Sequence, residues 1–461
     1  DLLFLLGMEL ISECVGLAIA SIATLNPWEL SMSRGPFESH FALFLMLLGF
    51  YSFLRGLKQK YWFLLFGISF ALAAQTYSTY KLIVPLFASM LLVWIRISTG
   101  SSIGIRSRIG SILKYLKKPV FLFSLLIIVA STMLGIYLTI SRGSEDRFRS
   151  INIFNNQALR SSISEKVRTD RSLDRLSPST VNTLHTPQVE FAGVLAENYF
   201  KNLLPDFLFL HGDGEVRHNP AEMGEFFWID LLFLIVGVVY LYRFKKSLLF
   251  LLTGWIFIAP LPTSLIGNPH ALRSSFLLPP LLILAGTGLY SLWSKRRLPF
   301  MPLVFSVLAV IFFIQAVYFF DRFYFVAPQK DARSWSYPAK EAAEMAAKNR
   351  HLFNTVIISN DIDNMEFAYP TYSKLDPNLV IKQNNSRALL AEYKFFNYDN
   401  VYIGSLPHSR IMQFIKSLPG TVLYIGSAKE QADLENYKIL RGFDNQVDLV
   451  ITTNSGSPDF F

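Results

Sequence analysis

The sequence predicts a polytopic α-helical membrane protein with a small α/β domain at its C-terminal end. Long apolar runs recur through the first 320 or so residues, in a chain that is 52% hydrophobic and only 17% charged. Basic residues collect in alternate connections between these runs. Short strand-like segments are confined to the residues after 321. We therefore divide the chain into a membrane domain, 1–321, and an α/β domain, 322–461.

About nine apolar segments have the length that a membrane-spanning helix needs, roughly 20 residues for a hydrocarbon core of about 30 Å. The first, at 2–24, contains Glu9 and Glu13. The chain begins without Met or a basic flank and does not fit a signal peptide, so we expect further spans to precede it. The other eight segments lie at 37–54, 61–79, 82–95, 119–140, 226–242, 247–266, 274–293 and 299–320.

The net charge of +9 could suggest a nucleic-acid-binding protein, but the distribution of the basic residues indicates a membrane topology instead. Four connections between apolar runs hold fifteen basic and no acidic residues, which leaves more acidic than basic residues elsewhere. Short cytoplasmic loops carry such an excess of Lys and Arg. The fifteen are Arg55, Lys58, Lys60, Arg96, Arg106, Arg108, Lys114, Lys117, Lys118, Arg243, Lys245, Lys246, Lys295, Arg296 and Arg297.

If the basic connections face the cytosol, the alternate ones face outward. We therefore expect a multi-pass protein of the cytoplasmic membrane, with the long stretch 141–225 and the α/β domain outside the cytosol.

In the α/β domain, segments 354–359, 400–404, 421–426 and 448–453 predict strands, and 338–350 and 409–418 predict helices. The domain has no glycine-rich phosphate loop and is most simply a lid or docking domain. The single cysteine, Cys14, allows no intrachain disulfide.

Polar residues concentrate in four of the predicted outward segments, 25–40, 75–81, 198–220 and 268–275. Because all four leave the membrane on one side, we expect them to line one cavity; irregular backbone at membrane depth is tolerated only inside protein or beside water. The candidate residues in these segments are Glu29, Arg34, Glu38, Tyr77, Tyr80, Lys81, His211, Asp213, Arg217, His218, His270 and Arg273.

Each candidate taken singly has a simpler interpretation. Arg34 or Arg273 could reach lipid headgroups, and Lys81 with its neighbouring tyrosines could anchor the chain at the interface. The spacing of His211, Asp213 and His218 allows a divalent metal but does not favour one, and the cofactor stays unknown. Taken together, cations on the outer side suit an anion such as a lipid phosphate, because arginine offers a fork of donors matched to phosphate oxygens. A carboxylate would be the simplest base for an acceptor hydroxyl.

Four stretches of the sequence carry a family resemblance. They are "NPWELSMSRGPFESHFALFLMLLGFYSFLRG", "QTYSTYKLIVPL", "NYFKNLLPDFLFLHGDGEVRHNPAEMGEFFWIDLLF" and "NPHALRSSFLLPPLLILAGTGL". In order and predicted topology they resemble membrane glycosyltransferases of the C superfamily, in the branch of dolichyl-phosphate-mannose–protein mannosyltransferases and aminoarabinose transferases. The resemblance covers roughly residues 5–320.

The resemblance implies an inverting transfer from a polyprenyl-phosphate sugar to a lipid, glycan or protein acceptor. It implies that Arg34, His270, Arg273 and, more weakly, Lys81 contact the donor or its phosphate, and that Asp213, Arg217 and His218 shape the site. The essential acidic residue of such enzymes lies in a first outer loop that we expect before residue 1, so no catalytic residue is assigned here. Two alternatives remain: a transporter or flippase for a lipid-linked or anionic solute, and a catalytically silent membrane protein that holds a partner.

Overall fold

The computed structural model describes residues 1–98, 118–141, 152–384 and 387–456. The chain forms two compact units, Asp1–Phe320 and Asp321–Phe461. The first is helical, and the second is built around a seven-stranded sheet. Four of the fifteen basic residues used for the topology, Arg106, Arg108, Lys114 and Lys117, lie outside the described residues, as do residues 142–151 of the predicted long loop.

The helices of the first unit follow the apolar runs closely. Polar helices occupy much of the predicted loop 141–225, where Asn156, Ser177 and Thr186 each cap a helix by accepting a backbone N–H. The α-helices are Leu2–Leu10, Glu13–Leu25, Pro27–Arg34, Glu38–Lys58, Trp62–Thr76, Tyr80–Ser98, Pro119–Ser141, Gln157–Leu173, Pro178–Leu184, Pro187–Lys201, Trp228–Phe244, Lys246–Ile258, Leu261–Ser264, Leu278–Trp293 and Met301–Asp321. A π-helical turn spans Asp206–Leu210 and a 3-10 turn spans Ser275–Leu277.

Six helical stretches in the described part of the chain are long and apolar enough to cross a membrane. They are Glu38–Lys58, Tyr80–Ser98, Pro119–Ser141, Lys246–Ser264, Ser275–Trp293 and Met301–Lys330. These six stretches indicate a membrane protein. Two more of the nine predicted spans, 61–79 and 226–242, correspond to shorter helices of 15 and 17 residues.

The predicted span at 2–24 is not one continuous helix. The backbone leaves the helical conformation at Ile11, and a second helix starts at Glu13 after the Ser12 cap. The two short helices pack so closely that a Cβ on Gly7 would lie 2.6 Å from the Gly16 Cα. Mean hydropathy did not reveal the break, because the segment 2–24 is apolar on average despite Glu9, Ser12 and Glu13.

Glycines also let two longer helices touch at their backbones. A Cβ on Gly288 would lie 1.8 Å from the Phe233 carbonyl oxygen, and one on Gly237 would lie 2.0 Å from that of Leu284. Small residues permit this approach between apolar helices, where lipid supplies no hydrophobic drive for association. The helix Leu278–Trp293 is consequently buried along most of its length, and the residues that precede it, 270–277, are held inside the first unit.

The second unit is a mixed sheet with helices. Its strands are β1 (Thr355–Ser359), β2 (Ala388–Leu390), β3 (Tyr393–Tyr398), β4 (Val401–Gly404), β5 (Val422–Ser427), β6 (Lys438–Arg441) and β7 (Val447–Thr453), in the order β2-β3-β4-β1-β5-β7-β6. β1 pairs in parallel with β4 and β5, whereas the other pairings are antiparallel. The α-helices of this unit are Ala327–Lys330, Tyr337–Asn349, Met365–Tyr372, Pro377–Asn384 and Ile411–Ser417.

The four predicted strands and both predicted helices of this unit are confirmed within two residues. β1, β5 and β7 are buried almost throughout, which explains their continuous apolar sequences. β2, β3 and β6 were not predicted; they lie at or near the sheet edges and are only partly buried. Partial burial leaves such strands without a strong apolar pattern.

Candidate functional site

Residues 271–275 are the point where the four predicted outward segments meet. The Trp28 indole N–H donates to the Ala271 carbonyl at 3.2 Å. The Ala271 N–H in turn donates to the Asp213 carboxylate at 2.7 Å. From the second segment, the Tyr80 hydroxyl lies 3.0 Å from the Ser275 hydroxyl in a buried hydrogen bond. The four segments, far apart in sequence, are thus joined by direct hydrogen bonds.

Asp213 is the central group of this arrangement. Besides the Ala271 N–H, its carboxylate is bonded to His218 Nδ1 at 3.1 Å and accepts from the Glu215 N–H at 3.0 Å. The side chain is almost fully buried. Burial raises the pKa of Asp213, but the hydrogen bond to His218 and the backbone donors of Glu215 and Ala271 favour the carboxylate, and the pKa lies below its ordinary value. Asp213 is therefore an ionised carboxylate that holds two loops together.

Two histidine rings lie beside this carboxylate. The ring centroids of His218 and His270 are 4.6 Å apart, and Phe37 contacts His218 edge-on at 5.4 Å. His270 Nδ1 is 3.7 Å from Asp213 Oδ2. Burial lowers the pKa of His270 to about 4, with Asp213 opposing and Arg273 reinforcing that change. At neutral pH, His270 is therefore a neutral imidazole that packs against its neighbours.

Glu225 supports Asp213 from behind, and the sequence analysis did not identify it. Its carboxylate accepts the Asp213 N–H at 3.0 Å, and its backbone carbonyl accepts from Asn26 Nδ2 and from the Trp28 N–H, each at 3.2 Å. Burial, followed by repulsion from Asp213, raises the pKa of Glu225 well above its ordinary value. The only sequence signal for this residue was a lone acidic group just before an apolar run, in "GEFFWIDLLF".

Arg273 lies on the turn that carries His270 and Ala271, but it does not contact Asp213, His218 or Glu225. Its turn is closed by the Ser274 N–H, which donates to the His270 carbonyl at 2.9 Å. The Arg273 side chain is half-buried. Within the described ranges, its guanidinium has no hydrogen-bond or ion-pair partner. An arginine without a partner, at a fixed position two residues before a candidate span, is suited to binding an anion.

A row of buried polar side chains fixes the backbone around Arg273. The Ser274 hydroxyl donates to Asn202 Oδ1 at 2.6 Å and lies 2.9 Å from the Thr263 hydroxyl. Asn202 Nδ2 donates to the Asn198 carbonyl at 2.8 Å, and Asn198 Nδ2 reaches the Ser264 carbonyl at 3.4 Å. Buried hydrogen-bond networks of this kind specify one conformation, because an unpaired member would be costly.

Most of the other candidates make their contacts elsewhere. Lys81 Nζ donates to the Thr139 hydroxyl at 2.6 Å. His211, paired with Asp206 at 2.6 Å, and Arg217, paired with Glu215 at 3.0 Å, are exposed. Arg34 and Glu38 are exposed, and Tyr77 is half-buried with its ring 6.4 Å from that of Tyr80.

Glu29 borders a cavity of its own. Its carboxylate lies 3.1 Å from His40 Nε2. Both side chains line a cavity of about 280 Å³, together with Asp1, Phe44, Leu278 and Pro279. Leu278 and Pro279 start the helix that follows the Arg273 turn, so the cavity lies near this turn along the chain.

The residues that could bind a metal ion in the structure differ from the predicted set of His211, Asp213 and His218. His211 lies apart from the cluster, whereas one ligand atom from each of Asp213, His218 and His270 falls within 4.8 Å of the others. Hydrogen bonds from Ala271 and His218 already satisfy the Asp213 oxygen that faces the rings. These bonds account for Asp213 and His218 without a metal, whereas His270 Nδ1 is buried and has no hydrogen-bond partner among the described residues. A divalent ion is therefore allowed at this cluster, but the bonds of Asp213 do not require one.

Comparisons with protein-family models and with curated proteins found no match for this chain.

Proposed function

We propose that this chain belongs to an enzyme that transfers a sugar, with inversion, from a polyprenyl-phosphate-linked donor to a lipid, glycan or protein acceptor. We place the reaction at the outer face of the cytoplasmic membrane. The observation that carries the proposal is Arg273, a half-buried cation that has no ion-pair partner among the described residues and precedes the candidate span Ser275–Trp293. Such a position suits a phosphate at the headgroup level of a membrane.

The chemistry follows from the properties of arginine. Its planar guanidinium forms two parallel, charge-assisted hydrogen bonds to a phosphate. When the bond between sugar and phosphate breaks, negative charge grows on the phosphate, and a prepositioned cation stabilises that charge. Because the surrounding turn is fixed by hydrogen bonds, Arg273 would need little reorganisation to do so.

The neighbouring residues are positioning residues in this proposal. Asp213 and Glu225 hold the turn that carries Arg273, and the neutral His270 keeps a second positive charge away from the guanidinium. The proposal assigns no residue of this chain as the base that activates the acceptor. Membrane lipids and the lipid-linked donor are the expected partners, and nucleic acid is not.

The test uses the full-length protein in proteoliposomes with a radiolabelled polyprenyl-phosphate sugar and a panel of lipid, glycan and protein acceptors. Replacing Arg273→Ala removes the phosphate contact and should lower kcat/KM by about 100-fold, the effect of losing one charged transition-state donor. Arg273→Lys keeps the charge but not the fork and should give an intermediate rate. Arg297→Ala, an exposed cation in a predicted cytoplasmic turn, is the matched control and should transfer normally.

Two outcomes would refute the proposal. If Arg273→Ala transfers sugar as fast as Arg297→Ala, Arg273 does not contact the donor phosphate. If the protein instead moves labelled lipid between leaflets and releases no free polyprenyl phosphate, the transporter interpretation takes its place.

A further inference from the structure

The second unit contains a crevice whose position in the sheet is typical of ligand sites. The carboxyl ends of the parallel strands β1, β4 and β5 lie at the same edge. After β1 the chain turns to the β4 side of the sheet, and after β5 it turns to the β7 side. In sheets containing parallel strands, ligands bind where two adjacent strands send their connections in opposite directions. Here that point lies between β1 and β5.

Residues that follow these three strands surround one histidine. His408, after β4, places Nε2 3.1 Å from Asp361 Oδ2, after β1. Its other nitrogen, Nδ1, lies 3.1 Å from Asp433 Oδ2, in the turn after β5. A neutral imidazole carries only one N–H. Its other nitrogen would therefore direct a lone pair at the oxygen of a carboxylate. A proton or a metal ion bound between that nitrogen and its carboxylate would turn this contact into an attraction.

A third carboxylate increases the negative charge of the crevice. Glu430 is fully buried and accepts hydrogen bonds from the Ser359 and Tyr424 hydroxyls at 2.9 and 2.8 Å. Single ligand atoms of Asp361, His408 and Glu430 all lie within 4.8 Å of one another. One protonated histidine would leave the three carboxylates around it only partly neutralised.

An adjoining cavity gives room for further ligands. It has a volume of about 190 Å³ and is lined by Asp361, Asp363, Ser427 and Asp448, among others. Ser427 is 7% exposed, and its hydroxyl oxygen is buried without a hydrogen-bond partner in the part of the chain that the structure describes. Buried polar atoms are normally satisfied, so this hydroxyl indicates that the cavity holds a polar ligand such as a metal-bound water.

We propose that the crevice binds a divalent transition-metal ion, with His408 Nε2 and the Asp361 carboxylate as ligands. Imidazole and carboxylate together suit Zn²⁺ or Mn²⁺. Asp433 holds the opposite ring nitrogen, the carboxylate–histidine–metal arrangement that orients such ligands. Glu430 adds negative charge at the buried side, and the cavity leaves coordination positions for water or a substrate. This proposal is independent of glycosyl transfer.

The first experiment measures metal content. Full-length protein in mild detergent is stripped with EDTA, dialysed, titrated with Zn²⁺ or Mn²⁺ and analysed by elemental mass spectrometry. We expect His408→Asn and Asp361→Asn each to bind one metal equivalent fewer than the wild type. His351→Asn, an exposed histidine of the same unit, is the matched control and should keep the full count. Asp433→Asn should retain the equivalent but bind it about 10–100-fold more weakly.

A second experiment avoids mutation and therefore any effect on folding. His408 is half exposed, so diethyl pyrocarbonate should modify it in the stripped wild-type protein, as read by peptide mass spectrometry. Added Zn²⁺ or Mn²⁺ should protect His408 but not His351. Equal modification with and without both metals, or equal metal counts in the wild type and His408→Asn, would overturn the proposal in favour of a protonated histidine between two aspartates.

Discussion

Replacing Asp213→Ala should destabilise the first unit more than replacing any exposed aspartate. The Asp213 carboxylate accepts from the Ala271 N–H at 2.7 Å and is bonded to His218 Nδ1 at 3.1 Å. Both donors are buried and would lose their acceptor. An unsatisfied buried donor costs about 1–3 kcal/mol, so the two together give about 2–6 kcal/mol.

The assay is equilibrium unfolding of the purified protein in mild detergent by titration with SDS, followed by tryptophan fluorescence. Trp28, one of the seven tryptophans, donates to the carbonyl of Ala271, so its contribution to the emission should change when this turn is released. Asp206→Ala is the control, because its exposed pair with His211 should contribute at most about 1 kcal/mol. Asp213→Asn keeps one acceptor oxygen and should fall between the two.

The reasoning would be refuted by an Asp213→Ala protein that unfolds within about 1 kcal/mol of the wild type. It would also be refuted if the alanine variants of Asp213 and Asp206 lost the same free energy. Either result would mean that water or a rearranged loop satisfies the buried donors.

Two further predictions concern pH and helix packing. Because the pKa of His270 falls from an ordinary 6.5 to about 4 on folding, the unfolded chain takes up its proton first, and stability should drop by about 3 kcal/mol as the pH falls from 6.5 to 4. A His270→Asn variant measured in parallel should lack this component, and identical pH profiles would contradict the assignment of a neutral His270. Gly288→Ala should force apart the helices Trp228–Phe244 and Leu278–Trp293 and destabilise the protein by several kcal/mol in the same SDS titration, on the order of an overpacked core. Gly193→Ala, where a Cβ meets nothing within 4 Å, should change stability by less than about 1 kcal/mol, and equal effects at the two glycines would show that the helices can separate freely.

Several features of the fold could be predicted because they repeat along the sequence. Apolar runs such as 37–54 and 299–320 indicated helices, and the buried strands β1, β5 and β7 were apparent from their continuous apolar residues. Local periodicity and hydropathy are sufficient for this, because each element is determined mainly by its own residues. The break at Ile11–Ser12 escaped prediction, because the segment 2–24 is apolar on average although Glu9 and Glu13 flank the break.

The candidate site was only partly predictable. Asp213, His218, His270 and Arg273 stood out as polar residues between apolar runs, and the structure brings the two loops that carry them together. Lys81 and His211 stood out for the same reason but pair elsewhere, with Thr139 and Asp206. Residue type alone cannot separate these two groups, since a charged side chain pairs with whatever the fold places beside it.

The sequence by itself determined that this chain is mostly helical, carries long apolar helices and ends in a small sheet-containing unit. Only the tertiary structure decided that Glu225 supports Asp213, that His270 is neutral and that Arg273 has no partner within the described residues. The physical reason is range: hydropathy acts through neighbours in sequence, whereas burial, pKa and pairing depend on groups that are distant in sequence, as Trp28 is from Ala271.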